Sequence, residues 1–292
     1  MAMTRNAALR VGGAPLFVLI WSTGFVVARA VRGEVDPNLF LAGRFGLTML
    51  MFAGVALALG VPWPRGRAIG QHFLAGVLIN GLYLGPSYWA VAHGLPASVM
   101  ALLGAVQPLL VALAAWWLLR ERVGRSTWAG LLIGLVGVGL VMAPRIAAGD
   151  AGYASPLVLA AAGVAILSMT AGSLMQKTSL AAADLRSASA IQNLGGVVTC
   201  AVLALALGED HWQGDARAWA ALGWAAVVLS GMGTTLLLWM LRTGSAARAT
   251  ALLLVVPPLV AVETFLLFGD ALTLVQVAGF AVAIAGVWLA RR

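Results

Sequence analysis

Apolar positions run along this chain in long blocks broken by charges, glycines and prolines. Ten blocks have about the length at which a helix crosses a bilayer, roughly 20 residues. They are 14–31, 37–60, 69–92, 96–119, 126–143, 155–176, 184–208, 217–241, 247–268 and 273–290. The stretch from Ala68 to Leu119 carries no formal charge and is too long for one helix, so Gly94-Leu95-Pro96 is expected to break it into a tight hairpin. The loops are short, and no segment reads as a soluble domain or a disordered tail.

Composition agrees with the blocks. Of 292 residues, 62% are hydrophobic and only 10% charged, against about 25% charged in a soluble domain. So little polar surface cannot keep a core in solution, and the excess apolar surface needs lipid. The net charge of +8 sits on cations scattered singly or in pairs between the blocks. That pattern sets membrane orientation and does not suit nucleic acid. With the N-terminus inside, the inner segments hold thirteen Lys/Arg, including Arg65, Arg67, Arg120, Arg122, Arg125 and Arg242. The outer ones hold four, Arg29, Arg32, Arg145 and Arg217, which predicts both termini in the cytoplasm. Ala28-Arg29-Ala30 superficially resembles a cleavage site, but the first block completes a repeat and is kept as a helix. Cys200 is the single cysteine, and His72, His93 and His211 match no metal spacing, so no disulfide within the chain, metal or cofactor is expected.

The two halves match at an offset of 148 to 150. Trp89-Ala-Val-Ala-His-Gly94 aligns with Trp239-Met-Leu-Arg-Thr-Gly244, and Pro108 with Pro258. Glu121 meets Asp270, Gly130 meets Gly279, Gly137 meets Gly286, and Gly24 meets Gly172. Each half then holds five helices. Five is odd, so the second copy enters the membrane from the other side, as an inverted-topology repeat. The expected fold is an all-α integral membrane protein of ten transmembrane helices. Two inverted five-helix repeats, 1–148 and 149–292, enclose a central cavity that can open to either side.

These half-repeats resemble the EamA module of the drug/metabolite transporter superfamily. The resemblance rests on "LIWSTGFVVAR", on Gly43-Arg44-Phe45, and on "ALLGAVQPLLVALAAWWLLRERVGRSTWAGLLIGLVGVGL" with its second copy "ALLLVVPPLVAVETFLLFGDALTLVQVAGFAVAIAGVWL". Those segments hold a mid-helix proline, an acidic residue after the fourth helix (Glu121, with Asp270 where Glu is commoner) and a glycine-spaced fifth helix. Length and aromatic content look most like the YddG-type amino-acid exporters. The resemblance implies a ten-helix bundle in the bacterial inner membrane that exports small solutes.

Arg44 is the leading functional candidate, because its guanidinium cannot neutralise itself within an apolar block. It could face a wet cavity and fork onto a substrate carboxylate, or snorkel to headgroups. Its repeat mate, Gln192, is expected to approach the same axis and help hold one zwitterion, or else to bond two helices. Trp21, Tyr83, Tyr88, Trp89 and Trp239 are flat side chains with a polar tip that suit a small-solute pocket, with helix packing as the plainer alternative. Asn80 and Gln107 are amides that could line the cavity or join helices. Ser168 and Thr170, near the mates of Trp21 and Ser22, could line the site or bond back to their own helix. Glu263 could carry a proton that couples transport, pair with Arg44, or sit at the outer-leaflet surface. Trp116-Trp117, Trp219 and Trp288 lie near block ends, where an interfacial belt is expected. Pro86, Pro108, Pro257 and Pro258 mark expected bends.

The favoured reading is a secondary transporter exporting an amino acid or similar metabolite, as a monomer embedded in lipid. Export of drugs, sugars or nucleotide-linked metabolites, and a passive channel, remain as alternatives. Neither a Walker motif nor the acid pair, His cluster or metal site of an enzyme is visible.

Overall fold

A computed structural model describes residues 13–24, 27, 31, 33–95, 97–145, 147, 155–177, 180, 182–243, 249–268 and 273–290. Arg5, Arg10, Arg29, Arg32, Pro96, Asp150, Gly244, Arg248, Asp270, Arg291, Arg292 and the boundary between the expected halves lie outside them.

The chain is all-helical among the described residues. In order, the helices are α1 (Gly13–Gly24), α2 (Pro37–Ala58), α3 (Arg67–Ala92), α4 (Ala97–Leu118) and α5 (Arg125–Arg145). After them come α6 (Pro156–Lys177), α7 (Leu185–Leu207), α8 (Ala216–Arg242), α9 (251–268) and α10 (Leu274–Ala290). Six of them are long and apolar enough to cross a membrane, and four shorter apolar helices accompany them. Large apolar side chains such as Leu50, Leu57, Leu205 and Leu274 stand exposed, as a lipid-facing surface requires.

Local chemistry explains the ends. Pro37 opens α2, where a missing N–H costs nothing. Asp184 caps α7 by accepting from Arg186 N at 2.9 Å, and Asp215 caps α8 by accepting from Ala218 N at 2.7 Å. Gly208 closes α7 with φ +69°, and Gly94 turns the chain after α3 with φ +97°.

Three irregularities were not anticipated. Helix α3 loosens into a π-helix over Val77–Leu82, and α8 does so over Ala225–Thr234. These are matching stretches of the two halves, since Asn80 and Ser230 stand 150 residues apart. Helix α9 begins as a 3₁₀ turn, Ala251–Val255, so Pro257 and Pro258 sit in the first turn of its α-helical part. They mark a junction and not the expected mid-helix bend; Pro86 and Pro108 do lie inside their helices.

The two most extensive helix contacts are α5 with α10 and α2 with α7. Glycines permit the first. A side chain on Gly130 would collide with the Gly286 and Ala290 backbone, and one on Gly137 with the Gly279 and Ala283 backbone. The pairing is reciprocal, because Gly286 and Gly279 are the repeat mates of Gly137 and Gly130. Two equivalent helices meeting about a twofold axis must show such reciprocity. Helices α2 and α7 also run antiparallel, with Phe45 against Gly196 and Asn38 against Glu209. Beyond them the segment before α2 ties to the segment after α7. Val35 bridges Trp212, Asp36 N donates to His211 O (3.0 Å), and Gln213 N donates to Glu34 O (2.7 Å).

Candidate functional site

Helix α2 lies between α7 and the π segment of α8, which turns Arg44 into protein and leaves it 5% exposed. Its Nε donates to Ser230 Oγ at 2.7 Å. Ser230 belongs to the π segment, where the widened turn frees backbone and side-chain groups for neighbours. Thr48, one turn along α2, sits between the carbonyls of Arg44 and Ala226 at 2.8 and 3.0 Å, so a hydroxyl joins α2 to that segment. The guanidinium also engages the Tyr88 hydroxyl, with Tyr83 and Cys200 in its electrostatic neighbourhood. Its Cζ lies 5.5 Å from the Phe45 ring centroid, a cation–π contact. These partners are all neutral side chains. Among the described residues, no carboxylate pairs with Arg44.

Aromatic groups complete this region. Tyr83 begins directly after the π segment of α3, and Tyr88 follows one turn later; both are half-buried. Trp21 of α1 packs against Phe17 at 5.1 Å and borders the same apolar cluster as Tyr83. A Cβ on Gly233 would come within 2.9 Å of Ile20 Cγ2, so this glycine keeps room for the residue before Trp21.

Gln192 does not hydrogen-bond to Arg44. It belongs to a separate buried chain whose polarity can be assigned from one end. Arg242 can only donate, so it fixes Gln176 Oε1 as its acceptor, at 3.2 Å from Nη2. Gln176 Nε2 then donates to Gln192 Oε1 at 2.8 Å. Gln192 Nε2, 3.1 Å from His72 Nδ1, donates in turn, which places the imidazole proton on Nε2. Arg242 also donates to Ala183 O at 2.7 Å. Asn80 reaches this group by donating to the Gln192 carbonyl at 3.2 Å.

The other expected residues are dispersed. Gln107 donates to Ser173 Oγ at 3.5 Å, joining α4 to α6, and its buried Oε1 has no partner. Ser168 is buried in α6, and Thr170 bonds back to Ile166 O at 2.8 Å as expected of it. Trp89 stacks on His93 at 4.1 Å near the end of α3. Trp239 is half-buried in α8. Glu263 of α9 accepts from Ser22 of α1 at 2.5 Å, and its second oxygen is buried without a partner.

Sequence reasoning left Ser230, His72 and Gln176 out of the site. Ser230 was within reach, because the repeat places it on Asn80. A single histidine and a single glutamine in apolar blocks carry no signal of mutual contact.

The family of EamA-like transporters matches this chain twice, over residues 12–143 and 156–292. Protein PecM of Dickeya dadantii is 31% identical over 54% of this chain and 50% of its own length. The aromatic amino acid exporter YddG of Ancylobacter novellus is 30% identical over 56% of each chain. The chain thus matches about half the length of these two relatives. A probable terminal-alkyne amino-acid exporter of Streptantibioticus cattleyicolor is 29% identical over 95% of this chain and 91% of its own length. A crystal structure with 20% sequence identity superposes at a TM-score of 0.81, covering 95% of this chain and 94% of that one, which establishes a shared fold. With two matches that together take in nearly all of its helices, the chain belongs to the EamA-like transporter family, whose members are membrane transporters and not enzymes.

Proposed function

We propose that this protein exports an amino acid or a related carboxylate metabolite across the bacterial inner membrane by alternating access. Ten spans in two inverted halves, 1–148 and 149–292, would rock about a central site, with both termini in the cytoplasm and the protein acting as a monomer. Two observations support the inverted arrangement. One is the reciprocal glycine contact of α5 with α10. The other is that Arg44 with Ser230, and Gln192 with Asn80, are repeat mates that meet in both copies. The relatives named as amino-acid exporters support the solute class.

The observation that carries the reading is Arg44. A guanidinium taken out of water loses several kcal/mol of hydration. Its Nε bond to Ser230 and contact with Tyr88 replace only part of that. A substrate carboxylate would supply the missing counter-charge and match the planar donor face. Trp21, Tyr83 and Tyr88 would supply apolar walls for the rest of the solute. Gln192, Asn80, Gln107, Ser168, Trp89 and Trp239 then act by holding helices around the site. Glu263 remains our candidate for proton coupling. The test is counterflow in proteoliposomes with a panel of amino acids and their carboxamides. We expect saturable counterflow for free acids and at least tenfold less for amides, one tenfold step being about 1.4 kcal/mol. Equal flux of both, or flux without saturation, would remove the carboxylate reading or the transporter mechanism respectively.

A further inference from the structure

Helix α4 ends in a charged corner that the export reading does not use. Its last turn presents Trp116 and Trp117, 55% and 73% exposed. The chain then leaves the helix through Arg120, whose φ of +51° is a conformation usually taken by glycine, while Glu121 N donates back to Ala115 O at 3.1 Å. That turn gathers Trp116, Trp117, Arg120, Glu121, Arg122 and Val123 around a cavity of about 510 Å³. The volume falls in the range of small-ligand pockets, roughly 300–1,000 Å³. Two guanidiniums and one carboxylate line it together, and Glu121 Oε2 is buried with no hydrogen-bond partner. On the helix side the wall continues into the exposed apolar Leu113 and Leu118.

We propose that this corner binds the headgroup of an ethanolamine phospholipid. The phosphate would sit between Arg120 and Arg122, the primary ammonium would pair with Glu121, and the glycerol and acyl chains would run down past Trp117 and Leu113. Tryptophan at the end of an apolar helix lies at headgroup depth, and basic pockets at that level take lipid phosphates. The carboxylate distinguishes the lipid. A glycerol headgroup would bring no cation for Glu121, and a choline headgroup has no N–H to donate to it.

The test is lipid retention, which is read independently of transport. Purified protein is exchanged into an equal mixture of phosphatidylethanolamine, phosphatidylglycerol and phosphatidylcholine. The lipids kept through mild detergent washing are then counted by mass spectrometry. We expect roughly one ethanolamine lipid per protein, enriched roughly fivefold, the scale of one exposed ionic contact. Glu121→Gln should erase the preference for ethanolamine over glycerol headgroups, and Arg122→Ala should lower retention of all three lipids. Soluble glycerophosphoethanolamine should displace the bound lipid poorly. The proposal fails if wild-type protein holds phosphatidylglycerol as well as phosphatidylethanolamine, if Glu121→Gln keeps the wild-type ratio, or if the soluble ester competes at equal concentration. The wild-type ratio alone decides the matter should either variant fold poorly.

Discussion

Helices α2 and α7 are mates in the repeat, 148 residues apart, yet equivalent positions on them bond differently. Asp36 precedes α2 and accepts from His211 N across the molecule at 2.9 Å, while Asp184 precedes α7 and caps its own helix through Arg186 N at 2.9 Å. Asn38 donates from Nδ2 to Glu209 Oε1 at 2.7 Å, whereas its mate Arg186 folds back onto Asp184 at 2.7 Å. Arg44 bonds Ser230 and neighbours only neutral groups, while Gln192 has both amide atoms occupied by Gln176 and His72. The two copies therefore preserve a backbone crossing while dividing its chemistry. One side holds a cation with coordination to spare, and the other is a closed hydrogen-bonded lock.

Removing the open side should have the largest effect. Arg44→Ala is expected to reduce counterflow of carboxylate substrates by about ten- to a hundredfold, the value of a charge-assisted hydrogen bond at roughly 1.5–3 kcal/mol. Arg44→Lys should recover only part of this, since a point charge cannot fork onto a carboxylate. Full activity in Arg44→Ala would break the comparison outright. Gln192→Ala should do the opposite. Flux should stay within roughly twofold, and stability should fall by about 1–3 kcal/mol because Gln176 and His72 lose a buried partner. A thermal-shift measurement beside the counterflow assay separates the two outcomes, and a transport defect at unchanged melting temperature would return Gln192 to the substrate site.

The sequence revealed helices better than contacts. Long uncharged blocks place α2 to α8 within about two residues of their observed ends, because charge and glycine punctuation sets where an apolar helix stops. The π segments at Val77–Leu82 and Ala225–Thr234 had no signature, since one extra residue in a turn changes bond register and not composition. The pairing of Arg44 with Gln192 was inferred from their shared repeat position. The antiparallel packing of α2 and α7 limits that inference. Equivalent residues on antiparallel mates move apart along the bundle unless they sit at the crossing itself, and the contact of Phe45 with Gly196 places the crossing beyond Arg44. Arg44 and Gln192 therefore fall on opposite sides of the crossing, each within about one turn of it.

A smaller effect should come from the aromatic side of the open half. Tyr88→Phe keeps the ring and removes the hydroxyl that engages Arg44. The substrate affinity in counterflow is expected to change several-fold, on the order of 1 kcal/mol, with maximal flux retained. A stronger apparent affinity would mean that the hydroxyl competes with the substrate for the guanidinium, and a weaker one that it holds the guanidinium in place. No change would exclude Tyr88 from the site.

The smallest expected effect belongs to the closed half, at the start of α7. The hydrogen bond from Arg186 holds the Asp184 carboxyl below its ordinary range, with burial acting against it. A carboxyl with a depressed folded pKa adds stability above its unfolded value, near 3.9. That stability is lost as pH falls through the folded value. Asp184→Asn retains a good cap, because asparagine accepts from the helix N-terminus as well as aspartate does, and so removes only the charge. Melting curves of wild type and Asp184→Asn should differ slightly at pH 7, with the variant lower, and converge as the pH is taken below about 4. A difference that persists in acid would show that the cap geometry, and not the Arg186 charge, distinguishes Asp184 from Asp36.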